Sequence, residues 1–201
     1  MNLSVPLLDV ASGTRAALLQ TMVRLERPVT RRQLTAAAGT SAGHGNSVIE
    51  DLISAGLVIE MKAGRSSLVS LNREHLAAPS IIALAGLRGE LIRRLRARLG
   101  EWPNLIGAWL FGSVARGEAR PDSDIDVAIV VVDLDSPDLH QRLTQLQSDV
   151  RTWTGNDLQI VEHSAESWQA LKAARNTLIE QIRTDGIALV ADDVSLLERL
   201  R

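Results

Sequence analysis

The chain has no cysteine and no tyrosine, and only one phenylalanine. Without cysteine there is no disulfide, no thiolate metal site and no thiol nucleophile, which fits a reducing compartment. Aromatic residues make up 2% of the chain, so the stacking platforms that hold single-stranded nucleic acid are scarce. No run of eighteen apolar residues occurs, and Met1-Asn2-Leu3-Ser4-Val5-Pro6 has neither a basic start nor a long apolar stretch. Neither membrane insertion nor export is expected, and the expected location is the cytoplasm. Lysine is rare as well: 2 of the 22 basic residues, against 20 arginines. Arginine suits planar, bidentate contact with phosphate.

The remainder is ordinary for a globular chain: 201 residues, 45% hydrophobic and 23% charged, enough for one large domain or two small ones. The charge is unevenly spread. Residues 1–80 sum to +2, residues 81–100 to +4 and residues 101–201 to −8, so the two halves are expected to face different partners.

In the first half, Thr14 to Glu26 has a helical stripe of Ala17, Leu18, Met22 and Leu25 that Arg27-Pro28 stops. Thr30 is placed to cap a short helix from Arg31 to Ala38, and Ser41 to open a third that ends at Ala55-Gly56. Leu57 to Met61 and Ser67 to Leu71 then read as strands around the Gly64 turn. Helices followed by such a hairpin make a winged helix-turn-helix. Residues 1–78 resemble the bacterial winged-helix regulators of the MarR and ArsR type, most of all in Leu52-Ile53-Ser54-Ala55-Gly56-Leu57-Val58. The resemblance implies that the helix from Ser41 enters the major groove of DNA with Ser41, His44, Asn46 and Ser47 near base edges, while Arg31, Arg32 and Arg65 meet phosphate. Two features run against it. Gly43 and Gly45 fall in the first turn of that helix, and no Arg or Lys lies between Arg32 and Lys62 to read guanine. A winged helix used for dimerisation or protein contact fits the same residues.

Pro79 precedes an expected helix from Ser80 to Leu99, striped by Leu84, Leu87, Leu91, Leu95 and Leu99, with Arg88, Arg93, Arg94, Arg96 and Arg98 on its other faces. A packed connector with a solvated side accounts for it. Beyond Gly100-Glu101-Trp102-Pro103-Asn104 the pattern alternates. Strands are expected at Leu105–Phe111, Ile125–Val132 and Leu158–Val161, and helices from Ser136 to Trp153 and from Ser164 to Arg183. A short strand at Ile187–Val190 and a helix from Ser195 follow.

The chemistry lies between Phe111 and Asp126. Gly112-Ser113 ends an apolar strand and opens a turn, where backbone N–H groups and a hydroxyl can bind the terminal phosphates of a nucleotide. Asp124 and Asp126 are two apart, so on a strand they aim the same way, as carboxylates that hold divalent metal do. Asp157 is expected to add a third carboxylate or else to finish the turn after Gly155-Asn156, Arg116 to reach a phosphate or else to pair with Glu118 in solvent, and Ser123 to support the metal site. Glu162, His163 and His140 lack the spacing of metal ligands. The sequence Leu110-Phe111-Gly112-Ser113, ten residues, Asp124-Ile125-Asp126 resembles the signature of the polymerase-β-like nucleotidyltransferases.

That resemblance implies a two-metal Mg²⁺ site on Asp124, Asp126 and Asp157, and transfer of a nucleoside monophosphate from a triphosphate, ATP by expectation, to a hydroxyl. The 44 residues after Asp157 leave no room for an acceptor-binding domain, so a minimal nucleotidyltransferase is expected. Relatives of that type act as antitoxins that transfer AMP onto separate HEPN-type toxins, so a HEPN-like or other protein acceptor is expected, together with a homodimer. The architecture expected is α/β of the α+β kind: a winged helix-turn-helix over residues 1–78, an Arg-rich linker helix over 79–101, and a nucleotidyltransferase domain over 102–201 with a mixed sheet covered by helices. Two other functions fit the same motif: a DNA-binding regulator whose second domain only senses nucleotide or holds a partner, and a toxin that adds nucleotides to tRNA.

Overall fold

The computed structural model describes residues 1–9, 11, 13–64 and 66–190. They form two compact units that divide between Arg88 and Gly89, with Met1 and Leu3 belonging to the second.

In the first unit a 3₁₀ turn, Pro6–Asp9, precedes α1 (Gly13–Leu25), β1 (Val29–Thr30), α2 (Arg31–Ala37), α3 (Ala42–Ser54), β2 (Val58–Ala63), β3 (Ser66–Leu71) and α4 (Ala78–Ala85). Strands β2 and β3 pair antiparallel from Val58 opposite Leu71 to Ala63 opposite Ser66, and β1 adds to the other side of β3. The short β1 is not visible in the sequence pattern. Thr30 ends it and starts α2 through a capping box: its hydroxyl accepts from Gln33 N at 3.2 Å, and Gln33 Oε1 accepts from Thr30 N at 3.0 Å. Leu18, Leu34, Ile49, Leu52 and Val69 fill the core. Strand β2 is an edge strand, and it leaves Ile59 and Met61 exposed.

Gly45 has a packing reason that outweighs its poor helix propensity. A Cβ there would lie 2.5 Å from Thr35 Cγ2 and 2.9 Å from Thr40 Oγ1, so α2 and α3 approach more closely than any other residue allows. Gly43 meets nothing within 4 Å, and no packing accounts for it.

Helix α5 (Leu87–Gly100) leads into the second unit, which continues with β4 (Leu105–Phe111), α6 (Gly112–Arg116), β5 (Ile125–Val131), α7 (Pro137–Thr154), β6 (Leu158–Ser164), α8 (Ala165–Ala173), α9 (Thr177–Asp185) and β7 (Ile187–Ala188). The sheet order is β6-β5-β4-β7. Strand β6 runs parallel to β5 and the other pairs are antiparallel, so the sheet is mixed. Alternate residues of β5 serve opposite faces. Ile125, Val127, Ile129 and Val131 pack with Leu91, Leu95 and Leu99 of α5 and with Leu139, Leu143, Leu146 and Val150 of α7. Ala128 and Val130 pack with Trp109, with Trp168 of α8 and with Ile179 and Ile182 of α9. Trp109 and Trp168 stack at 5.1 Å and 11°. Helices therefore cover both faces.

Two expected helices are each divided. Ser80–Leu99 is α4 followed by α5, because Gly86 leaves helical geometry at ψ 4° while its N–H still bonds back to Ile82 and Ala83. Pro79 does not break the chain ahead of α4 but sits in its first turn, where a missing N–H costs nothing. Ser164–Arg183 is α8 followed by α9: Arg175 turns left-handed at φ 48°, and Asn176 caps α9 by accepting from Leu178 N at 2.9 Å. Strand β6 runs on to Ser164, beyond the expected Val161, and β7 stops at Ala188. The helix expected from Ser195 lies outside the described residues.

The arginines of α5 are largely engaged within this unit. Arg93 and Arg94 bond Glu90 and hold its carboxyl down to about 2. Arg98 donates to Asp149 at 2.7 Å, Arg96 donates to Ala188 O, and Arg94 lies over the Trp153 ring.

Gly45→Ala is expected to destabilise the first unit by about 1–3 kcal/mol through overpacking, read as a lower unfolding midpoint. Adding Thr35→Ser, which removes the methyl that the new Cβ meets, should restore part of the loss, since Thr40 Oγ1 remains 2.9 Å away.

Candidate active site

Strand β5 reads Ile125-Asp126-Val127-Ala128-Ile129-Val130-Val131, and every residue but Asp126 is buried. A strand covered on both faces is normally apolar throughout, so a carboxylate in it is costly unless it is used. Asp126 lies opposite Phe111 of β4 and Gln159 of β6. Beyond Phe111 the chain turns through Gly112 at φ 70° into α6. A side chain at 112 would overlap Asp126 Oδ2. Glycine is needed there twice over, for the left-handed backbone and for the room.

Asp124 is exposed and sits one residue before β5. Burial pushes the Asp126 carboxyl above its ordinary value, the charge of Asp124 pushes it the same way, and Arg116 draws it back. The two motif carboxylates are thus brought together with Gly112 and within the field of Arg116. Asp157 is placed differently. Its carbonyl accepts from Ile125 N at 2.9 Å, but its carboxylate bonds Arg151 of α7 at 2.6 Å. Among the described residues no three His, Cys, Asp or Glu side chains converge as a metal site.

Ser113 is the second residue of α6, whose N-cap is Phe111. Its carbonyl accepts from Glu118 N at 2.9 Å and closes the turn. Arg116 Nε donates to Glu118 at 2.9 Å; that bond chiefly raises its pKa, and the charges of Asp185 and Asp126 add to the rise. Ser123 Oγ accepts from Arg120 N at 2.9 Å, which shapes the loop that delivers Asp124.

Three residues bordering the motif were not singled out from the sequence. Gln159 faces Asp126 by register, and only the strand pairing reveals it. Asp185, at the end of α9, acts on Arg116. Asn156 is buried and bonds the loop before Asp124.

In the first unit Arg31 is tied up internally. It bonds Glu60 of β2 through Nε and Nη2 at 2.9 Å, and Glu50 of α3 through Nη1. Arg32, Ser41, His44, Asn46 and Ser47 are exposed on α2 and α3. Arg65 lies outside the described residues.

The family described as polymerase beta, nucleotidyltransferase matches residues 94–194, a span that holds Gly112, Ser113, Asp124, Asp126 and Asp157. No curated protein matches the chain. Among solved structures, a toxin-antitoxin with AMP-PNP is 24% identical over 56% of this chain and 79% of that one, with a TM-score of 0.38. A mutant of the toxin-antitoxin MntA-HpeT is 22% identical over the same shares, also at 0.38. With the family matched over half of its length, and the Gly-Ser turn and paired aspartates inside that match, the chain belongs to the polymerase beta nucleotidyltransferase family.

Proposed function

We propose that the chain is a Mg²⁺-dependent nucleotidyltransferase that moves a nucleoside monophosphate from a nucleoside triphosphate, ATP first among candidates, to a hydroxyl acceptor on a protein. The observation that carries this reading is the contact between Gly112 and Asp126. The only carboxylate of a doubly covered strand is set directly against the Gly112 turn, in space that any side chain at 112 would take, which puts a metal ligand beside backbone of the kind that meets phosphate.

The residues fit a divalent cation in a specific way. Two like charges near enough to raise the Asp126 pKa are an unfavourable pair by themselves, and a cation between them relieves it. Asp124 and Asp126 would hold Mg²⁺, and the ion would supply charge neutralisation at the phosphates. The Gly112-Ser113 turn would offer backbone N–H groups and the Ser113 hydroxyl to a phosphate oxygen. Arg116 adds positive charge at the rim, steadied by Glu118. Catalysis in this reading is positioning plus electrostatics.

Asp157 favours a second reading, in which the domain binds nucleotide without transferring it. Its carboxylate is engaged by Arg151, although both side chains are more than half exposed and such a surface pair is worth at most about 1 kcal/mol. An incoming cation can take the carboxylate from Arg151 at small cost, and for that reason transfer is the preferred reading.

For the first unit we propose a winged helix-turn-helix that contacts DNA with Arg32, His44, Asn46 and Ser47, Arg31 being spent on Glu50 and Glu60. A mobility shift on DNA from the chain's own promoter should show a specific complex at low salt that weakens as salt rises. No shift at low salt would assign this face to protein contact.

Incubation with labelled ATP, GTP, CTP or UTP and Mg²⁺, with a HEPN-like partner or a cell extract as acceptor, should label protein. Asp124→Asn should lower that labelling by about 10²–10³-fold or more. Nucleotide binding with no labelling of any acceptor would select the sensor, and labelled tRNA the toxin.

Stability supplies an independent check. Because the folded pKa of Asp126 is raised, the folded chain binds more protons than the unfolded one between the ordinary value near 3.8 and the raised one, and stability falls as pH rises through that window. Asp126→Asn should therefore raise the unfolding midpoint at neutral pH, and the gain should shrink below pH 4. An unchanged midpoint at neutral pH would show that the carboxylate carries no such strain.

A further inference from the structure

Asn156 is buried, 5% exposed, and both hydrogens of its amide are spent on one loop. Its Nδ2 donates to Pro121 O at 3.0 Å and to Ser123 O at 2.9 Å. Its Oδ1 accepts from the Met1 nitrogen at 2.6 Å, and its own N–H donates to Thr154 Oγ1 at 3.1 Å. Gly155, at φ 75°, ends α7 and turns the chain into this position. The neighbouring residue, Asp157, accepts from Ile125 N through its carbonyl at 2.9 Å.

The two carbonyls that Asn156 holds are two residues apart, and the second belongs to the peptide joining Ser123 to Asp124. Asp126 is fixed by strand pairing to β4 and β6. Asp124 precedes the strand and has no such pairing, so its direction depends on how the Ser123–Asp124 peptide is held. On the carbonyl side that hold is Asn156, and on the far side it is the bond from Ile125 N to Asp157 O. A serine at 156 has one donor and an aspartate has none, so only a primary amide of this length makes both bonds.

We propose that Asn156 is the positioning residue of the carboxylate pair, setting the direction of Asp124 relative to Asp126 and thereby the affinity for a divalent cation carrying a triphosphate. The role rests on the nucleotidyltransferase reading above. It differs from a folding role in one measurable respect: removing Asn156 loosens the cation site more than an equal loss of stability elsewhere in the same unit does.

The test uses the full chain with Mn²⁺ and inorganic tripolyphosphate, a probe that engages the metal and phosphate groups and needs no knowledge of the base. Affinity is measured by calorimetry beside the unfolding midpoint, for the unaltered chain, Asn156→Ala, Asn156→Ser and Leu139→Ala. Leu139 is a core residue of α7, 5% exposed, and serves as the control for lost stability. Asn156→Ala is expected to bind about tenfold more weakly and Asn156→Ser to fall between, while Leu139→Ala stays within about twofold of the unaltered chain despite its lowered midpoint. Unchanged affinity in Asn156→Ala, an equal loss in Leu139→Ala, or failure of both Asn156 variants to fold overturns the positioning role and leaves the nucleotidyltransferase reading standing. If the unaltered chain and Leu139→Ala both fail to bind Mn²⁺ and tripolyphosphate, the nucleotidyltransferase reading itself fails, and the role of Asn156 with it.

Discussion

A carboxylate on a strand packed from both sides loses much of its water, and the residues around Asp126 are arranged by that loss. On one side the turn that follows the neighbouring strand gives up its side chain at Gly112, and the carboxylate Oδ2 takes the space that a side chain would fill. Along the strand Ile125 and Val127 hold the register from the opposite face. Beneath Ala128 and Val130, the stacked Trp109 and Trp168 make that face rigid. The charge is therefore half-buried at the start of an apolar strand, and its pKa is raised chiefly by that burial.

The first unit is governed by packing rather than by charge. Gly45 brings α3 against α2, and Arg31 links α2 to α3 and to β2 through Glu50 and Glu60. The guanidinium that the sequence suggests for phosphate contact works as an internal tie. Arg32 on α2, Ser41 at the start of α3, and His44, Asn46 and Ser47 along its first turns stay exposed.

The nucleotide motif is legible in the sequence because its parts are local. Gly112-Ser113 follows an apolar run and Asp124-Ile125-Asp126 starts another, so a reader of the chain places both at strand ends without knowing the sheet. Helix breaks are less legible. The leucine stripe from Leu84 to Leu99 runs on across Gly86, since both helices bury the same kind of face, and the turn at Arg175 carries no Gly or Pro to announce it. Asn156 is invisible to pattern altogether: the carbonyls it holds are 35 and 33 residues away, and in the sequence it stands as the middle of an ordinary Gly-Asn-Asp turn. Gln159 is hidden for the same reason, because a parallel strand pairing joins it to Asp126 across the whole of α7.

Helix α5 belongs to a segment that carries a formal +4, yet Arg93 and Arg94 share Glu90, Arg98 is held by Asp149, and Arg96 is bonded to a carbonyl. Arg93 and Arg94 are exposed, and such surface pairs contribute little, so a polyanion arriving there could displace the glutamate at small cost. Glu90 is already subtracted in that +4 and the Ala188 carbonyl carries no charge, so among these partners Asp149 alone lowers the attraction this helix exerts at a distance. The same arginines fasten α5 within itself through Glu90, to α7 through Asp149 and to β7 through the Ala188 carbonyl.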